Sequence, residues 1–166
     1  MKTIQSLSIF LVDDDKTFLK SLEYHLQRKL KPNIKIKSFV SGEECLRSID
    51  EKPDIVVLDY LLNSNFPDAM NGMQVLQKIN KINPEAAVIM VSGQEKMEIA
   101  IDTLKNGAYD YVLKNQNVLL KIQTVIKNAI STITLNKKMK IYNFGIKAFI
   151  TIVLLAMILV FIKQIH

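Results

Sequence analysis

Ile55-Val56-Val57-Leu58 is a run of four apolar side chains closed by a carboxylate, Asp59, and preceded by Pro53-Asp54. A run this short and this apolar reads as a strand covered on both faces, which calls for a parallel sheet with helices on either side. Asp59 then falls at the carboxyl end of that strand, where open α/β sheets hold their ligands. Taken alone, the aspartate serves equally well as a turn residue or a helix cap. The rest of the chain decides.

The flanking sequence alternates between the two periodicities. Leu7 to Val12 predicts a buried strand ended by Asp13-Asp14-Asp15, and Phe18, Leu19, Leu22, His25, Leu26 and Leu30 recur at helical spacing up to Lys31-Pro32. Ile34, Ile36 and Phe39 alternate with lysines and Ser38, as in a strand near a sheet edge. Ser41-Gly42-Glu43-Glu44 opens a short helix with Cys45, Leu46 and Ile49 inward and both glutamates solvated. After Asp59 comes a long connection, Tyr60 to Asn71, then a helix facing inward through Met73, Val75, Leu76, Ile79 and Ile82. Ala86 to Val91 predicts a fourth strand delivering Ser92-Gly93, Lys96 to Lys105 a helix ending at Asn106-Gly107, and Tyr109 to Leu113 a fifth strand delivering Lys114. From Val118 an apolar stripe runs through Leu119, Ile122, Val125, Ile126, Ala129, Ile130 and Ile133. The expected fold is α/β: a doubly wound, flavodoxin-like (βα)5 with a five-stranded parallel sheet and right-handed crossovers.

At 166 residues the chain can bury one core of about 110 to 130 residues and still have a tail. Its net charge of +6 is unevenly placed: residues 1–110 hold 14 basic and 16 acidic groups, while 111–166 hold eight lysines and no acid. Basicity confined to a tail around an apolar segment points to a membrane surface and away from nucleic acid. Cys45 is the single cysteine, which excludes an intramolecular disulfide and a cysteine-rich metal site. The opening MKTIQSLSIFLVDDD passes straight into aspartates and fits a first strand better than a signal peptide.

The topology gathers Asp13, Asp14, Asp59, Ser92 and Lys114 on one rim of the sheet. Three carboxylates so close repel one another unless a cation sits among them. Hard oxygen donors on a water-accessible rim suit Mg²⁺, and a lysine opposite attracts an anion. A carboxylate nucleophile, a divalent cation, an ammonium and a hydroxyl are what transfer of a phosphoryl group onto an aspartate requires. Asp15, one place past the acidic pair, reads as a helix N-cap, and His25 and His166 as ordinary helix and chain-end residues.

These motifs, "LVDDD", "VVLD", "VSG" and "YVLK" in that order over about residues 6–130, resemble the receiver domains of two-component response regulators. The resemblance implies that Asp59 is the phosphoacceptor. It implies that Mg²⁺ is held by Asp13, Asp14, Asp59 and the main-chain carbonyl of Leu61. Ser92 and Lys114 would bind the phosphoryl group, and Tyr111 would be the switch aromatic. The chain departs from the family pattern in the long connection after Asp59, in Asn115 where proline is usual, and in Leu61 and Gln94 beside the path of an attacking water. Apolar Leu61 offers that water no hydrogen bond, so slow loss of the phosphoryl group is expected.

Ala148 to Ile162 is free of charge for 15 residues, and extending back to Phe144 gives 19, about 28 Å of helix at about 1.5 Å per residue. With Lys137, Lys138 and Lys140 before it, the positive-inside bias keeps the preceding domain in the cytoplasm. The expected organisation is a receiver at 1–130, a basic helical linker at 131–143 and a single-pass anchor at 144–162 in the cytoplasmic membrane. Its expected partners are a histidine kinase or phosphotransfer protein, a downstream protein, the membrane and, through the tail, a second copy of itself; no nucleic acid is expected. The expected function is signalling by phosphorylation-dependent protein–protein interaction, without enzyme activity beyond chemistry at Asp59 itself. The competing readings are a phosphorelay carrier or sink, and a receiver-like interaction module that is never phosphorylated.

Overall fold

The computed structural model describes residues 7–62 and 69–165, with side chains described as far as 152. The centre of the long connection after Asp59, one of the departures from the family pattern, therefore lies outside the described residues, as do the side chains of 153–162. The chain divides into two compact units, 1–129 and 130–166.

The first unit is a five-stranded parallel sheet. Its strands are β1 (Ser8–Val12), β2 (Lys35–Phe39), β3 (Ile55–Asp59), β4 (Ala87–Ser92) and β5 (Asp110–Leu113), in the order β2-β1-β3-β4-β5. Between them run α1 (Lys16–Lys29), α2 (Gly42–Arg47), a 3₁₀ turn (Ile49–Glu51), α3 (Gly72–Ile82) and α4 (Met97–Lys105), and α5 (Val118–Ile165) follows β5. The expected α/β fold class is the observed one. All five residues of β3 are buried, at the centre of the sheet. Strand alternation divides the core. Phe10, Val12, Val56, Leu58, Val88 and Met90 pack with Cys45, Ile49, Val75, Leu76 and Ile79 from the α2–α3 side. Their neighbours Ile9, Leu11, Ile55, Val57, Ile89 and Val91 are buried on the opposite face.

Local chemistry sets the element ends. Asp15 caps α1 by accepting from the Thr17 and Phe18 N–H groups, at 2.8 and 3.1 Å. Asn71 and Gln74 form a reciprocal capping box on α3. At the end of α4 the N–H groups of Gly107 and Ala108 donate to the carbonyls of Leu104 and Thr103. That is the Schellman pattern, with Gly107 at φ 91°. The lysine-bearing strand β2 is one of the two sheet edges, as its alternation predicts.

Three details differ from expectation. Ile82, read as an inward residue of α3, is 53% exposed: it is the last residue of the helix, and the inward face ends at Ile79, which is fully buried. Glu43 is tied, not merely solvated: its carboxylate accepts the Met70 N–H at 2.8 Å, and that bond holds its pKa below the ordinary value. His25, read as an ordinary helix residue, has a partner that its sequence position does not show: its Nε2 lies 2.8 Å from Oε1 of the buried Gln123 on α5. Among the described residues, Val118–Ile152 of α5 is long and apolar enough to cross a membrane by length and composition.

Candidate functional site

Adjacent strands β1 and β3 lead to crossovers on opposite sides of the sheet, which opens a crevice at their carboxyl ends. Asp13 follows β1, Asp59 ends β3, Ser92 ends β4 and Lys114 follows β5. The structure brings these four and Asp14 to that crevice. Asp13 and Asp59 are 3% and 5% exposed, Ser92 is fully buried, and Asp14 is open to solvent. Lys114 Nζ is 2.7 Å from Asp13 Oδ2 and 3.1 Å from Asp59 Oδ2, so one ammonium serves two buried carboxylates. The Lys114 main-chain N–H donates to the Ser92 carbonyl at 2.7 Å, which fixes where its side chain starts.

Burial pushes the Asp59 carboxyl above its ordinary pKa, and the neighbouring Asp13 charge adds to this. Lys114, together with the Leu61 N–H, opposes the shift without cancelling it. Asp13 is likewise raised by burial, against the Lys114 ammonium and the Asp15 N–H. Burial would lower Lys114, but the Asp13 and Asp59 carboxylates outweigh it and the net shift is upward. The site therefore carries an excess of buried negative charge, which a further cation relieves.

One carboxylate oxygen from each of Asp13, Asp14 and Asp59 lies within 4.8 Å of the other two. Three hard oxygen donors with an open side toward Asp14 fit a hydrated divalent cation such as Mg²⁺.

The neighbourhood holds contacts, and one glycine, that sequence reasoning missed. Ser92 Oγ accepts the Gln94 N–H at 3.1 Å, leaving its own proton free to donate into the crevice. Tyr111 Oη donates to the Gln94 carbonyl at 2.7 Å, so the backbone of Gln94 links the site hydroxyl to the aromatic on β5. Lys114 Nζ lies 4.9 Å from the centroid of the Phe18 ring, an aromatic read only as a core residue. Gly72 is the clearest omission. A Cβ there would meet the Asp59 carbonyl oxygen and lie 2.7 Å from Tyr60 Cα, and its N–H donates to the Tyr60 carbonyl at 3.0 Å. The Asn71-Gly72 dipeptide was its only sequence signal, and that marks a turn without saying what approaches it.

The family described as response regulator receiver domain matches residues 9–125. The chain belongs to this family. Receiver domains are signalling modules that interact with histidine kinases or phosphotransfer proteins and bind Mg²⁺ at an acidic pocket. This receiver is 30% identical over 105 residues to the chemotaxis protein CheY of Listeria monocytogenes, a match covering 63% of this chain and 83% of that protein. It is 28% identical over 108 residues to the C4-dicarboxylate transport transcriptional regulatory protein DctD of Rhizobium meliloti, covering 64% of this chain and 22% of DctD. The chain thus spans under a quarter of that relative's length. Among solved structures, the BeF3-activated receiver domain of DrrB superposes with a TM-score of 0.64 at 30% identity, covering 75% of this chain and 97% of that one. The receiver domain of NtrX from Brucella abortus gives 0.65 at 26% identity, covering 75% and 98%.

Proposed function

We propose that this chain is a membrane-anchored receiver that takes a phosphoryl group onto Asp59 from the phosphohistidine of a kinase or phosphotransfer protein. The reading is carried by the placement of the buried Asp59 carboxylate 3.1 Å from the Lys114 ammonium in a crevice that also holds Ser92. An Asp59 oxygen attacks phosphorus, the P–N bond of the donor breaks as the O–P bond forms, and the histidine leaves as the free imidazole. Asp13, Asp14, Asp59 and the Leu61 carbonyl are assigned to hold Mg²⁺. When bound, it neutralises charge on the transferring oxygens. Lys114 exchanges its contact with Asp59 for one with the phosphoryl group, and the free proton of Ser92 donates to another phosphoryl oxygen. Tyr111 loses its bond to the Gln94 carbonyl if its ring turns, and in this reading that change marks the phosphorylated state for a protein partner.

The proposed organisation is receiver 1–130, linker 131–143 and membrane span 144–162, with the receiver in the cytoplasm. Support for the span comes from the uncharged run Ala148 to Ile162 and from exposed Phe144, Phe149, Ile150 and Ile152, at 75, 67, 51 and 65%.

The test is intact-mass analysis of the full chain in detergent after incubation with Mg²⁺ and acetyl phosphate. Wild type is expected to gain one phosphoryl group and Asp59→Asn none; no gain in folded wild type overturns the reading. Binding of Mg²⁺ is checked separately. At a hundredfold its Kd it is expected to stabilise the first unit by about 2.7 kcal/mol, and Asp13→Asn is expected to remove most of that gain in thermal melts.

Leu61 is 50% exposed and apolar two residues past Asp59. A phosphoryl lifetime well beyond seconds is expected, and Leu61→Asn, which offers water one hydrogen bond, should shorten it about tenfold. Radiolabel decay reads both; a wild-type half-life of seconds contradicts the expectation.

A further inference from the structure

Within the 130–166 unit, α5 carries an apolar pattern that the receiver fold does not use. Leu135, Met139, Tyr142, Ile146 and Phe149 stand 4, 3, 4 and 3 residues apart, the heptad spacing that keeps one seam along a helix. All five are open, from 40% at Ile146 to 71% at Tyr142. At about 100° per residue they fall within about 80° of the helix circumference. That is narrower than the stripe of roughly 100° or more by which a helix lies on a core. Leu135, Met139 and Tyr142 precede the proposed span and alternate with Lys137, Lys138 and Lys140, so lipid tails do not cover them.

We propose that this stripe is the seam of a parallel two-stranded coiled coil whose other strand is the same helix of a second copy of this chain. The flanking residues permit self-pairing. With Met139 and Ile146 at a and Leu135, Tyr142 and Phe149 at d, the e positions are Asn136, Asn143 and Ile150 and the g positions between them Lys138 and Gly145. In a parallel pair g faces e of the following heptad, so Lys138 meets Asn143 of the partner copy and no like charges oppose. The area is sufficient. Two copies bring four aromatic rings at roughly 150 Å² each and six aliphatic side chains, together about the 1,200 Å² at which stable specific interfaces begin. The parallel sense rests on the membrane reading above, since an anchor inserts both copies in one orientation. The membrane-bound signalling unit is then a dimer, joined through the linker.

Disulfide cross-linking of the full chain in phosphatidylcholine vesicles tests this. Cys45 remains in place as an internal control, because it is fully buried and burial pushes its thiol up to about 12. Met139→Cys and Tyr142→Cys put identical positions within bonding distance across the seam, whereas Ile141→Cys, 73% exposed in wild type but off the seam, does not. The seam variants are expected to form covalent dimer at least about fivefold faster than Ile141→Cys. Equal rates at all three positions, or none at any, overturn the pairing. Protection of the seam thiols from a water-soluble maleimide without dimer formation also overturns it, and would mean that the stripe lies on lipid. Recovery of the chain with the vesicles after an alkaline wash reads the anchor independently. Loss of anchoring with the seam-specific pattern intact would therefore refute the membrane span and keep the dimer.

Discussion

Replacing Lys114 with methionine is expected to destabilise the receiver by about 3 kcal/mol near neutral pH without Mg²⁺, the lower end of what removing one partner from a buried ion pair costs. Methionine keeps the length and apolar stem of lysine, so the loss is chiefly of the charge. Two carboxylates, 3% and 5% exposed, then face each other without the ammonium now 2.7 and 3.1 Å away. The lower end applies because the Lys114 side chain is 26% exposed and water already screens part of the interaction.

The deficit should depend on pH with a definite sign. Burial raises Asp13 and Asp59 above the ordinary carboxyl value of 3.8 in the folded state, so folding takes up protons in the window just above that value. Stability therefore falls as pH rises through the window. Without Lys114 both carboxyls rise further, and the difference between variant and wild type is smallest near pH 4 and largest at neutrality. Lys114 is raised above 10.5. Its own contribution to wild type is fully present below that pH and is lost only above it, as the folded-state pKa is passed. Urea unfolding across pH reads both trends. A variant that loses as much stability near pH 4 as at neutrality would mean that Lys114 acts by packing against Phe18, not by compensating charge. Added Mg²⁺ should restore part of the loss, since a divalent cation among Asp13, Asp14 and Asp59 meets the same need.

Gly72→Ala is the second large expected effect. The methyl group would occupy space held by the Asp59 carbonyl oxygen and Tyr60 Cα. Backbone cannot turn aside as a side chain can, so α3 and the end of β3 must separate. We expect a loss of about 3 kcal/mol or more, the upper range for overpacking. That corresponds to a fall in Tm of about 10 °C for a domain of this size. The displaced segment bears Asp59, Tyr60 and Leu61, so phosphorylation by acetyl phosphate should slow together with the loss of stability. Gly93→Ala is the control. A Cβ at Gly93 meets nothing within 4 Å, and its Tm should stay close to wild type. Equal melting temperatures for the two variants would show that the β3–α3 junction yields easily.

The fold was legible because each strand and helix carries its own period. The apolar run of β3, the alternation of β2 and the helical stripes of α1 and α3 need no neighbour to be read. Catalytic-type side chains at strand ends were legible for the same reason: once Asp13, Asp59, Ser92 and Lys114 are placed at carboxyl ends of parallel strands, topology gathers them. What each group touches was not written in the sequence. One ammonium shared by two carboxylates, the Tyr111–Gln94–Ser92 link, the Phe18 ring beside Lys114, the tie from Glu43 to Met70 and the pairing of His25 with buried Gln123 join residues distant in the chain. Their partners depend on where crossovers set the helices. Gly72 states the difference most plainly. Sequence marks it as a glycine before a helix, whereas only the packing of α3 against the end of β3 makes the absence of one methyl group a requirement for the site. Local periodicity decided which segments form and which ends carry chemistry, and long-range packing decided the distances on which that chemistry depends.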